Sequence, residues 1–98
     1  MPAYFIGKVK VTDPVRYGEY IKATPPVIAK FGGRFIARGG ERITLEGPEV
    51  TERMVIIEFP SVAAAQDFYN SPEYAKAKAL REGAAEAQFV VVDGVPPV

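Results

Sequence analysis

Two runs constrain this chain more than any other feature. Met54-Val55-Ile56-Ile57 and Phe89-Val90-Val91-Val92 are apolar at every position, so a strand built from either shows oil on both faces. An antiparallel sheet with one wet face requires alternation instead. A chain of 98 residues has room for one core and no second one. The back of such a sheet must then be covered by something outside the chain. A second copy is the economical cover, because two-fold dimers are the commonest oligomers.

The other segments supply that sheet and its helices. Ala3 to Val11 alternates, with Phe5, Val9 and Val11 on one face and Tyr4, Ile6, Lys8 and Lys10 on the other. Asp13-Pro14 starts a helix, a capping carboxylate followed by proline at the first helical position. Tyr17, Tyr20, Ile21, Thr24, Val27, Ile28 and Phe31 then recur at helical spacing. Pro25-Pro26 removes two backbone donors from the pattern, so a break or kink is expected there, with Thr24 capping a second helical piece. Gly32-Gly33 ends the helix.

Arg34 to Arg38 reads as a second strand, Gly39-Gly40 as a turn or bulge, and Arg42 to Glu46 as a short extended piece closed by Gly47-Pro48. Glu52 to Phe59 is the third strand. Ser61 caps one helix and Ser71-Pro72 starts another, with Ala77, Leu80 and Ala84 on its buried stripe. Gln88 to Asp93 is the fourth strand, followed by Pro96-Pro97. The order β-α-β-β-α-β predicts one α+β domain over residues 1–98. It is a ferredoxin-like sandwich whose antiparallel four-stranded sheet carries its helices on one face. Two such sheets packed back to back make a dimeric α/β barrel.

Composition narrows the chemistry. Acidic and basic residues balance to zero net charge, which argues against a dedicated nucleic-acid or anionic-membrane binder. With no cysteine and no histidine, the chain lacks thiolate ligands, the usual haem ligand and the usual general base near neutral pH. Scattered carboxylates predict no metal, and nothing predicts a cofactor. No apolar stretch reaches the roughly 20 residues of a spanning helix, and no signal peptide is legible, so the expectation is a cytoplasmic protein without a membrane partner.

Strand parity selects the site candidates. Phe35, Ala37, Val55, Ile57 and Phe59 are expected to face the helices, which leaves Arg34, Ile36, Arg38, Met54, Ile56 and Glu58 facing the barrel. Arg38 and Glu58 would then share a compartment. They read either as a structural ion pair fixing dimer geometry, or as the polar corner of an apolar pocket where arginine receives a small carboxylate or enolate. Tyr17 and Tyr20 lie on the core stripe of the first helix, with a hydroxyl able to reach a ligand. Around the Ser71-Pro72 cap, Asn70, Tyr74 and Arg81 are further ligand-binding candidates; for Arg81 a bridge to a surface acid is the simpler reading.

Several short motifs in order carry a family resemblance. Tyr17-x-x-Tyr20, Gly32-Gly33-Arg34, Arg38-Gly39-Gly40, Glu58-Phe59-Pro60-Ser61 and Asn70-Ser71-Pro72-Glu73-Tyr74 resemble the domain of unknown function 1330 family, of the dimeric α/β barrel superfamily. The resemblance covers nearly the whole chain and implies a ferredoxin-like, barrel-forming homodimer. The superfamily includes cofactor-free monooxygenases, muconolactone isomerases and haem-binding peroxidases. The haem branch needs a proximal histidine that is missing here. Asn70, before the Ser-Pro-Glu-Tyr motif, takes no proton at neutral pH.

The functional expectation is a small cytoplasmic homodimer that binds a small anionic or carbonyl-bearing organic molecule. If it catalyses, the reaction would be cofactor-free isomerisation or oxygenation, with Arg38 stabilising negative charge, Tyr17 or Tyr74 donating a hydrogen bond and Glu58 as base. The alternative is a non-catalytic ligand-binding or assembly module with a structural Arg-Glu pair. Single-stranded RNA binding is rejected, since the strands lack the RNA-recognition consensus and the net charge is zero.

Overall fold

Asp13, Ser61 and Ser71 begin the three helices of a computed structural model that describes residues 1–96. Pro97, from the expected closing pair, and Val98 lie outside the described residues. The helices are α1 (Pro14–Lys30), α2 (Val62–Tyr69) and α3 (Pro72–Leu80), and each serine or aspartate accepts a backbone N–H of the first turn. Such caps contribute about 1 kcal/mol each. Ser71 also donates to the Phe68 carbonyl at 2.7 Å, which joins the end of α2 to the start of α3.

Strand β1 (Ala3–Val11) pairs antiparallel with β3 (Arg53–Phe59) and with β4 (Ala85–Asp93), while β2 (Arg34–Arg38) pairs with β3. The order β2-β3-β1-β4 is the ferredoxin-like arrangement. Phe5, Val9, Ile57 and Phe59 on one face pack against Tyr17, Ile28, Phe68 and Tyr74 of the helices. Gly7 leaves room on that face for the ring of Phe89, its partner across the β1–β4 ladder; a Cβ there would come within 2.5 Å of Phe89 Cε1.

The opposite face carries Tyr4, Ile6, Met54 and Ile56, half-buried, beside Val90 and Val92, which are 52% and 48% exposed. Among the described residues no element of the chain covers it. The register stacks Ile6 between Ile56 and Val90, so the apolar side chains form one patch across three strands.

Four expectations need correction. First, α1 does not break at Pro25-Pro26 but runs through both, and Thr24 is a buried residue within it. The carbonyl of Ile21, which Pro25 cannot serve, accepts from Arg38 Nη2 at 2.9 Å and from Thr24 Oγ1 at 3.5 Å. Second, β2 is bulged. Phe35 pairs with Ile57, but Ala37 pairs with Ile56 and Arg38 with Val55, so Ile36 is the extra residue. The shift reverses the parity of everything after it. Arg38 comes to the helix side, its guanidinium carbon 4.2 Å from the centroid of the Phe35 ring, while Ala37 takes the outer face.

The extended piece at 42–46 stays outside the sheet, as the four-strand order expects. It belongs to a connection held by Arg42 Nη2 to the Thr51 carbonyl at 2.7 Å and by Val50 N–H to Thr44 Oγ1 at 2.9 Å. Third, α3 ends at Leu80, which is 41% exposed, and it is Arg81 that turns inward. Fourth, β4 starts earlier than expected, at Ala85.

Candidate functional site

Helix α1 packs on α3 as well as on the sheet, and a cleft lies between α1 and strands β2 and β3. Tyr17 and Thr24 line it from the helix, Arg38, Arg53 and Val55 from the sheet. Its free volume is about 30 Å³, which takes one or two waters or a carboxylate head but no organic body.

Arg53 is the less exposed of the two arginines in this cleft. It opens β3 with the same parity as Val55, Ile57 and Phe59, and so points towards the helices. Its guanidinium carbon stands 6.0 Å from the centroid of the Tyr17 ring, and its buried Nε has no hydrogen-bond partner. Gly39, at φ +67°, makes the room: a Cβ there would collide with Arg53 Nη1. No carboxylate lines the cleft. The ion pairs among the described residues are Lys30–Glu73 and Arg34–Glu58, and neither involves Arg38, Arg53 or Arg81.

Burial pushes the Tyr17 hydroxyl above its ordinary pKa, and the neighbouring Arg53 pulls it part of the way back. Tyr20, one turn further along α1, shares a hydrogen bond of 2.8 Å between its hydroxyl and that of Tyr74. Burial first, and then the Tyr74 hydroxyl, push Tyr20 far up. Both α1 tyrosines are therefore hydrogen-bond donors at neutral pH rather than bases.

The sequence candidates divide among three places. Tyr17 and Arg38 meet in the α1 cleft, together with Arg53. Tyr74 is fully buried behind Tyr20. Asn70 and Arg81 line a separate groove bounded by α2, α3 and β4. Arg81 is no surface bridge: it is 9% exposed and has no carboxylate partner among the described residues. Burial works against its charge, but the Tyr74 and Tyr20 hydroxyls outweigh it and its pKa is raised.

Glu58 stands apart from all of these. It lies on the open face of the sheet, opposite Tyr4, and pairs with Arg34 at 3.5 Å rather than with Arg38. The bulge at Ile36 is the cause, because it moves Arg38 to the other side. Within one chain, Glu58 and Arg38 therefore share no compartment. Among the described residues no group of three or more carboxylates could hold a metal ion, and no helix is long and apolar enough to cross a membrane.

Residues 2–95 match the family Domain of unknown function (DUF1330). A protein of unknown function from Rhodopseudomonas palustris is similar in structure, with a TM-score of 0.76 and 25% identity over 98% of this chain and 84% of that one. SnoaB, a cofactor-independent oxygenase from Streptomyces nogalater, has a TM-score of 0.68 at 11% identity, over 99% of this chain and 96% of its own. A dimeric ferredoxin-like protein of unknown function from Jannaschia sp. CCS1 has a TM-score of 0.66 at 11% identity, over 96% of this chain and 100% of that one. At these last two identities the likeness is one of fold. No curated protein matches the chain.

Proposed function

The chain belongs to the DUF1330 family, and we propose that its α1 cleft binds the carboxylate or enolate of a small organic molecule. One observation carries this reading: the Arg53 Nε is buried without a partner in a cleft that no carboxylate lines. Leaving a charged donor unpaired costs on the order of 1–3 kcal/mol or more, and an anionic ligand would recover it. Arg38 at the cleft mouth adds a second positive charge, and the Tyr17 hydroxyl adds a neutral donor. Since the free volume suits a head group only, the ligand's body projects outward through the mouth.

A homodimer is part of the proposal. The uncovered patch around Ile6, Ile56 and Val90 supports it, as does the dimeric state of the Jannaschia neighbour that shares the fold. Light scattering should give twice the chain mass, and Ile56→Glu should give single chains.

Catalysis is a second reading, favoured by the donors around Tyr17 and by the fold shared with the oxygenase SnoaB. Two guanidinium groups and a phenol would stabilise an enolate once formed. The cleft residues include no carboxylate to form it, so such a substrate would have to ionise readily by itself. Oxygen uptake with an acidic hydroquinone would distinguish turnover from binding alone.

Calorimetric titration with benzoate tests the binding. Benzoate should bind, benzamide should not, and Arg53→Met should weaken benzoate by about tenfold or more. Equal binding of the amide, or an unchanged Arg53→Met, would rule the reading out.

A further inference from the structure

Arg81 takes no part in the α1 cleft, yet it is the more deeply buried arginine. Its Nε has no hydrogen-bond partner, and its guanidinium carbon lies 5.3 Å from the ring centroids of both Tyr20 and Phe89. Aromatic faces and the Tyr74 and Tyr20 hydroxyls offset part of the cost of burying this cation, but its in-plane Nε donor stays unused.

The groove that Arg81 borders has a volume of about 510 Å³, within the ~300–1,000 Å³ usual for small-molecule pockets. Its apolar wall is made by Ala65, Phe89 and Val91. Lys78, on the exposed side of α3, donates from Nζ to the Tyr69 hydroxyl at 3.1 Å and lies 5.1 Å from the centroid of that ring. Two cations thus flank an apolar surface, and no carboxylate lines the groove. The Phe89 ring, seated on Gly7, separates it from the α1 cleft, which it also lines.

We propose that this groove is a second binding site, for a planar aromatic anion. The ligand's carboxylate would sit between Lys78 and Arg81, and its ring would lie over Phe89 and Val91. Aromatic stacking and apolar burial hold the body, while the two cations select the charge. Neither cation belongs to the Arg53 cleft, so the two sites stand or fall separately.

The test is a nuclear magnetic resonance titration of the full chain with naphthoate and with naphthamide, repeated in an Arg53→Met background to remove the other cleft. Naphthoate should shift the amide signals of Ala65, Ala87 and Val91 saturably in both backgrounds, and naphthamide should not. Lys78→Ala should weaken naphthoate about tenfold, and Arg81→Met should abolish the saturable shifts. Should Arg81→Met fail to fold, Lys78→Ala at the surface decides alone. The proposal is overturned by equal binding of the amide, by an unchanged Lys78→Ala, by shifts confined to Ile21, Thr24 and Val55, or by no binding.

Discussion

Arg38 donates from Nη2 to the carbonyl oxygen of Ile21 at 2.9 Å, and that oxygen is the one Pro25 leaves without a helical N–H. An α-helix closes each turn from residue i to the carbonyl of i−4, so a proline at 25 strands the acceptor at 21. The bulge at Ile36 delivers the arginine to it. Continuity of α1 and the position of Arg38 are therefore one arrangement, and it narrows the mouth of the cleft.

That arrangement predicts coupling. Arg38→Met should cost about 1 kcal/mol of stability, because the site is exposed and a net hydrogen bond is of that size. In a Pro25→Ala background the helix supplies its own N–H, and the same substitution should cost less than about half as much. Urea midpoints of the four proteins in the cycle measure the difference; additive effects would show that the two residues act independently.

The Tyr20–Tyr74 pair is buried, so losing one hydroxyl strands the other. Tyr20→Phe should destabilise by about 1–3 kcal/mol, and Tyr74→Phe should cost less in that background than alone, since its hydroxyl is already stranded and only its support of Arg81 remains to be lost. A double substitution costing the full sum of the singles would argue against the 2.8 Å bond.

Alkaline pH should loosen the fold. Burial and the Tyr74 hydroxyl raise Tyr20 above its ordinary 10.0, and burial raises Tyr17 as well. Above that value the unfolded chain releases these protons while the folded chain keeps them, so the native state binds more protons and stability falls as pH rises. The contribution is whole below about pH 10 and declines by about 1.4 kcal/mol per pH unit for Tyr20. Tyrosine absorbance should show Tyr20 ionising only as the fold is lost. Tyr20→Phe should flatten the slope.

Gly39 holds a left-handed φ of +67° and lies under the Arg53 guanidinium. Gly39→Ala should cost about 1 kcal/mol in backbone strain and displace Arg53. Carboxylate affinity should drop with it, whereas Gly40→Ala, whose added Cβ would meet nothing within 4 Å, should leave affinity alone. Equal effects at the two glycines would detach Gly39 from the site.

Much of this molecule was legible from local signals. Asp13-Pro14, Ser61 and Ser71-Pro72 announce helix starts because caps depend on neighbours within four residues. The four strands follow from runs of apolar and alternating residues. What local signals could not supply was any feature fixed by a distant partner. Pro25-Pro26 reads as a break until a guanidinium on another element satisfies the stranded carbonyl. The bulge at Ile36 exists only in the pairing of β2 with β3, and one extra residue moved Arg38 away from Glu58. Arg81 lies past the end of α3, where the helical period no longer applies. Arg53 is different: its parity with Val55 and Ile57 places it on the helix side, a signal that the local sequence does carry.

A crystal soaked with bromobenzoate tests the central claim most directly, since anomalous scattering locates the bromine without ambiguity. The account predicts a carboxylate within hydrogen-bond distance of Arg53 Nε, with the bromine outside the cleft mouth beyond Arg38. An Arg53 cleft that stays filled by water alone under saturating bromobenzoate would contradict it.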